Sequence, residues 1–292
     1  MKTILSVILI SLVLTGCNFS RSVKKNLITG LTTTGKDLTC DDIYITVNGE
    51  RTIRNSFIYG EVFYLNLNDV KGFTKENGNV FPGIKMNIVN QKGDTVFQTV
   101  DLYSGYSEGM NYSPLLLTAD LTIAAPIKSK DNYTQIVNVW DKKGKGKFTS
   151  KFDFRVVEND RIMVESSGVS HDEIYIFSQG KNTVITDGRI DPDDNIYIIA
   201  EGLKGFRDEN GLIYPGLSLE ATDSGNNQVF NYDDLFTDYT GTGVGVSDFA
   251  TRVSSHFKIT GGSISNPLHC RMTVWDKKSD ARITITTDLS LN

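Results

Sequence analysis

The sequence predicts an all-β protein built from two tandem sandwich modules, and three observations carry that expectation. The first is composition: 292 residues include 15 Phe and 12 Tyr among abundant Thr, Val and Ile, with 26 Gly against 6 Pro. β-Branched and aromatic residues fit a pleated, half-buried surface, and glycine serves tight turns between short strands. The second is internal repetition. Lys71-Gly72-Phe73 recurs as Lys204-Gly205-Phe206, Glu76-Asn77-Gly78 as Glu209-Asn210-Gly211, Phe81-Pro82-Gly83 as Tyr214-Pro215-Gly216, and Asp101-Leu102 as Asp234-Leu235, all at an offset of 133. Val139-Trp140-Asp141-Lys142-Lys143 recurs as Val274-Trp275-Asp276-Lys277-Lys278 at an offset of 135. Such a period is the length of a domain, too long for a solenoid repeat. The third is a period-two alternation of apolar and polar residues throughout, with no long amphipathic helical pattern.

The elements follow in order. Strands are expected over 42–47 and 62–67, and over 173–177 and 195–200 in the second copy. Asn77-Gly78, a strong short turn signal, joins 73–76 to 79–81 as a hairpin. Pro82-Gly83 then leads into a strand over 84–88, and Lys92-Gly93 turns the chain into 95–100. A short helical turn is expected at Ser113-Pro114 and at the matching Ser247-Asp248, where a hydroxyl cap begins the segment. Closing strands over 133–140 and 148–156 place Phe148, Phe152, Phe154 and Val156 on one face. Ile283, Ile285, Leu289 and Leu291 match them in the second copy. Seven or eight strands per copy, with a hairpin at the end, predict an immunoglobulin-like sandwich. The boundaries read 27–157 and 158–292.

The N-terminus carries a separate message. Lys2 precedes an apolar run from Ile4 to Leu14, the length of an export signal and too short to span a bilayer. The run closes on Leu14-Thr15-Gly16-Cys17, which resembles the bacterial lipobox at all four positions. The resemblance implies that 1–16 is a removable signal, that Cys17 receives a diacylglyceryl group, and that 17–26 is a lipidated tether to a membrane. Asn18 lacks the Asp that resembles an inner-membrane retention signal, and no acidic run follows Cys17. Both features imply the outer membrane, facing the periplasm. With its closing Val139-Trp140-Asp141-Lys142-Lys143-Gly144 pattern, the whole chain resembles uncharacterised two-module, immunoglobulin-like lipoproteins of Bacteroidota.

Reactive chemistry is sparse. His171, His256 and His269 show no metal-ligand spacing. Gly241-Thr242-Gly243-Val244-Gly245 lacks the Lys of a phosphate loop. Cys270 alternates in phase with Met272 and Val274 and is expected in the core; a Cys40–Cys270 bond would have to join two modules. Trp140 and Trp275 are expected as core residues beside a turn, in preference to a glycan platform. The repeated turn lysines are expected to be solvated. Asp187, Asp191, Asp193 and Asn195 crowd one turn and form a candidate calcium loop, without the Gly and Glu that would complete it. The exposed Tyr103, Tyr106, Tyr232 and Tyr239 are candidate glycan contacts.

Charge separates the copies: 38–157 has 14 basic and 13 acidic residues, whereas 168–292 has 10 and 18. A net charge of −5 argues against nucleic acid. Arg21, Lys24, Lys25 and Lys36 suit an anionic membrane surface, and the acidic second module suits a cationic or metal-bearing partner. The expected function is a non-catalytic, membrane-anchored accessory or docking subunit of an envelope assembly with a protein partner. A glycan-binding surface lipoprotein is the alternative, and an enzyme comes third.

Overall fold

Strand pairing builds the same arrangement twice. The structure, a computed structural model, describes residues 21–25 as backbone and residues 30–261 and 264–292 in full. The lipobox and Cys17 lie outside the described residues.

In the first copy one sheet runs, in spatial order, Arg21–Lys25, Thr32–Lys36, Lys147–Val157, Asp131–Asp141, Pro82–Asn90 and Thr95–Gln98, all antiparallel. The facing sheet runs Glu50–Thr52, Thr39–Val47, Val62–Lys71 and Leu116–Thr122. The second copy repeats the first sheet as Ile162–Ser167, Arg282–Leu291, Leu268–Asp276, Pro215–Thr222 and Gln228–Tyr232. Its facing sheet is Thr183–Ile185, Glu173–Ser178, Asn195–Glu201 and Val253–Lys258. A short parallel strand joins the end of the closing strand in each copy: Ser56–Ile58 in the first and Arg189–Ile190 in the second. The chain is thus nearly all β, in tandem sandwiches.

The alternation read from the sequence is what closes each sandwich. Phe148, Phe152, Phe154 and Val156 all point inward and are buried. Phe57 stacks on Phe63 with centroids 4.5 Å apart, and both meet Phe152 and Phe154 edge-on. Buried residues form two clusters, one drawn from Leu31 to Val156 and one from Val169 to Leu289. Each large apolar side chain taken out of water contributes roughly 1.5–3 kcal/mol. Cys40 and Cys270 are both buried, one in each cluster, with no disulfide between them, and burial pushes the Cys270 thiol up.

Three expectations need correction. The Asn-Gly turns form with both central residues left-handed, Asn77 at φ 52° and Gly78 at 82°, Asn210 at 58° and Gly211 at 84°. Each closes only a single bridge in place of a hairpin, Glu76 to Asn79 and Glu209 to Leu212. A helix forms over Val246–Thr251 and buries Phe249, but the matching Ser113-Pro114 segment is not helical. Residues 21–25 were expected as part of a tether; they add a strand to the sheet edge, pairing Arg21 with Lys36 and Lys25 with Thr32.

Candidate binding surface

The repeated residues are consumed by the framework. Asp141 and Asp276 are buried at matching turns. Asp141 accepts hydrogen bonds from the Thr74 N–H at 2.7 Å and the Lys143 N–H at 3.0 Å. Asp276 accepts from the Arg207 and Lys278 N–H groups at 2.7 and 2.9 Å, and from the Ser279 hydroxyl. Each carboxylate therefore ties the closing hairpin to the repeated Lys-Gly-Phe segment. Lys142 and Lys277, expected as solvated, are ion-pair partners of Asp101 and Asp234 at 2.7 and 2.8 Å; Lys142 stays exposed, and Lys277 is half-buried. Burial pushes both of these carboxyls up. The lysine and two backbone N–H groups outweigh that, so both sit below the usual carboxylate range.

The tryptophans are not in the core. In Asp131–Asp141, Tyr133, Gln135, Val137, Val139 and Asp141 are buried, which turns Trp140 to the outer face. Trp275 does the same, opposite Val274 and Asp276. The cause is the residue across the strand. Gly83 and Gly216 pair with Trp140 and Trp275. A Cβ on either glycine would lie 2.1 Å from the indole Cε2. The missing side chain lets each indole lie against the sheet, exposed on its outer side.

In the second module this outer face is a trough of about 870 Å³. Its floor carries Trp275, Thr273 and Arg271 on one strand, flanked by Glu220, Arg282 and Thr284. Arg271 pairs with Glu220 at 3.1 Å, and the Thr273 and Thr284 hydroxyls meet at 3.2 Å. Met163 stands 64% exposed at one rim with Glu165 beside it on the same strand, and Asn231 and Asp233 lie at the opposite rim. Sequence reading missed this surface. The signal was available in the repeated Pro-Gly paired with a repeated Trp, and in Arg271 and Glu220 alternating outward from the core positions.

The four tyrosines do not form one row. Tyr103 stacks on Tyr106 at 5.3 Å, and its hydroxyl accepts the Thr118 N–H. Tyr232 stacks on Phe230, and Tyr239 meets Phe236 edge-on. Each therefore borders its own local cluster, and none lines the trough.

The acidic turn does not assemble as a calcium loop. Asp191 pairs with Lys181 at 2.7 Å and accepts a hydrogen bond from the Asn292 amide. The Asp187 carboxylate accepts the Arg189 N–H, and the Asn195 amide donates to Gln179. Asp194 accepts from the Ser178 hydroxyl and the Gly180 N–H. Asp193 sits at φ 64° and faces outward, 4.0 Å from Lys258. Local amides and lysines already compensate these carboxylates, and they do not converge. Among the described residues no group of three or more His, Cys, Asp or Glu side chains is placed to hold a metal ion.

The junction between modules is a polar clasp. Ser129 donates its N–H and its hydroxyl to the two oxygens of Glu173, at 2.6 and 2.7 Å. Lys128 pairs with Asp172 at 2.8 Å, and Tyr59 packs against Tyr175 at 5.1 Å. Burial pushes the Glu173 carboxyl up, partly offset by the bonds from Ser129. His171 meets Glu158 at 3.2 Å in the adjoining cleft, the kind of His–carboxylate pair an enzyme uses. Here Glu158 is also held by Lys130, and the nearby Ser129 hydroxyl is committed to Glu173. Both partners serve the clasp.

No family model matches the sequence, and no curated protein matches it. Among solved structures the chain is similar to fibronectin(III)-like modules of Clostridium thermocellum CbhA, at 10% identity over 85% of this chain and 94% of that one, TM-score 0.20. It is similar to a DUF3823 family protein from Bacteroides ovatus, at 7% identity over 76% and 93%, TM-score 0.23. It is also similar to the C-terminal domain of the Streptococcus agalactiae AgI/II polypeptide BspA, at 11% identity over 85% and 100%, TM-score 0.24. At TM-scores this low the likeness carries no argument about function, and the sandwich assignment stands on the strands themselves.

Proposed function

We propose that this chain is a non-catalytic, lipid-anchored display protein of the bacterial outer membrane, with the first module as the membrane-proximal stalk and the second as the module that meets a partner. One observation carries the reading. Arg21 pairs with Lys36, and Lys36 with Lys147, at the start of the closing strand, while the chain passes to the second module after Val157, at the other end of that strand. Eleven residues at 3.2–3.4 Å each separate the two ends by about 35 Å. A lipid on Cys17, four residues before Arg21, would hold one end of the first module at the bilayer. The second module would then project away from it.

The lipobox supports the anchor, and the clasp at Lys128, Ser129 and Glu173 supports a fixed relation between stalk and display module. The expected site is the periplasmic side of the outer membrane. Labelled palmitate tests the anchor: wild type should incorporate it, and Cys17→Ala should abolish both label and processing. Labelling that survives Cys17→Ala overturns the reading. Protease added to intact cells should leave the protein whole, and digestion there would move it to the cell surface.

A further inference from the structure

We propose that the outer sheet trough of the second module, centred on Trp275, binds a chain of uncharged sugar units. The proposal deepens the display reading above and rests on it for where the trough is presented.

The chemistry of the trough selects the ligand. An indole lying flat on a sheet offers a broad apolar face next to polar groups. A pyranose ring has a matching apolar C–H face, with its hydroxyls around the edge. Gly216 is what keeps the indole flat. Around it the Thr284 hydroxyl, held by the buried Thr273 hydroxyl beneath it, and the paired Arg271 and Glu220 supply donors and acceptors at fixed positions. These are the groups that read vicinal hydroxyls, and their mutual hydrogen bonds hold them in place before a ligand arrives. Because they sit on strands, little side-chain ordering remains to oppose binding.

Shape and charge narrow the class further. The surface is an open trough across several strands, which suits a polymer lying along it better than a small molecule needing enclosure. Arg271 and Arg282 stand against Glu165, Glu220 and Asp233, so the lining carries nearly no net charge. A polyanion would meet carboxylates, and a polycation would meet guanidinium groups.

The first module supplies an internal control. There Lys147 stands in the register position of Arg282, Ile136 of Arg271 and Asn87 of Glu220, beside Trp140. The indole is kept and the sugar-reading pair is not.

The test is native gel electrophoresis of the mature full-length protein in detergent, through gels containing laminarin, xylan, mannan, dextran or hyaluronan. At least one of the four neutral polysaccharides should retard the wild type. Trp275→Ala should abolish that retardation, Arg271→Ala should weaken apparent affinity at least tenfold, and Trp140→Ala should leave it unchanged. Arg271 is exposed, so its variant keeps the fold should Trp275→Ala fail to. The proposal is overturned if no neutral polysaccharide retards the protein, if hyaluronan alone does, or if both trough variants bind like wild type. Polysaccharide in a gel requires no anchor, so this outcome is independent of the palmitate result at Cys17.

Discussion

Trp140 and Trp275 occupy the same place in two copies of one sheet, each seated on a glycine, yet their neighbours differ. Around Trp275 stand an Arg–Glu pair, threonine hydroxyls and a second arginine. Around Trp140 the same register positions carry Ile136, Asn87, Asn138 and Lys147, while Thr149 keeps the place of Thr284. Inside the sandwiches the copies share their strand order and their buried aspartate clamps. The difference teaches where a duplicated domain is free to change. Inward positions, buried aspartates and clamped turns are fixed by packing and by hydrogen bonds that burial makes costly to lose, whereas outward strand positions carry little of the folding energy. One copy can serve as a stalk while the other specialises.

The two tryptophans also make the comparison measurable, since each module holds one of them. With Trp140→Phe or Trp275→Phe as background, fluorescence follows one module at a time through urea unfolding.

The largest effect is expected where a turn packs backbone on backbone. Gly72 and Gly205 have φ of 99° and 106°, and a Cβ there would lie 2.1 and 1.9 Å from the Asp37 and Gly168 carbonyl oxygens. Gly72→Ala and Gly205→Ala should each cost roughly 3–4 kcal/mol in their own module, from strain plus overpacking. A loss confined to one copy would break the equivalence of the frameworks. Next come the buried clamps. Asp141→Ala and Asp276→Ala each leave backbone N–H groups without a partner, and each should cost about 2–3 kcal/mol. Unequal losses would sharpen the comparison, because Asp276 also holds Ser279.

A pH series follows. The Asp101 and Asp234 carboxyls are depressed in the folded state, so their stabilisation is complete above the ordinary value of 3.8 and is lost as pH falls through the lower folded value. Urea midpoints measured from pH 5 to pH 2 should fall for both modules, and Lys142→Met or Lys277→Met should flatten the fall in its own module alone. The smallest effect is expected at the clasp's exposed pair. Lys128→Ala should change stability by about 0–1 kcal/mol, because Lys128 and Asp172 are solvated enough to be screened. A larger change, or one felt in both fluorescence signals, would mean that the modules unfold as one unit.

Much of the fold was legible because its causes are local. Alternation along 148–156 and 283–291 named the inward faces, and Asn77-Gly78 and Asn210-Gly211 named their turns. Other features were hidden because their causes lie across the sheet. The outward turn of the tryptophans depends on glycines some 57–59 positions earlier. The Lys142–Asp101 and Lys277–Asp234 pairs join residues about 40 apart, and only their joint recurrence hinted at them. The strand at Arg21–Lys25 read as a tether because its lysines mask a short Ser-Val-Lys alternation. The acidic turn misled for the opposite reason: a count of carboxylates says nothing of Lys181, Lys258 and Asn292 standing ready to compensate them.

The strand Arg21–Lys25 has a consequence for solubility. Among the described residues it forms the outermost rung of the first module's larger sheet, and an outermost rung is a template on which another chain can add its own. Three of its five residues are cationic. Two such rungs brought side by side would oppose like charges along their length, so the segment that completes the sheet also discourages two copies from joining there. Neutralising Arg21, Lys24 and Lys25 together should leave the fold intact and lower the concentration at which the purified protein begins to self-associate, as light scattering would record.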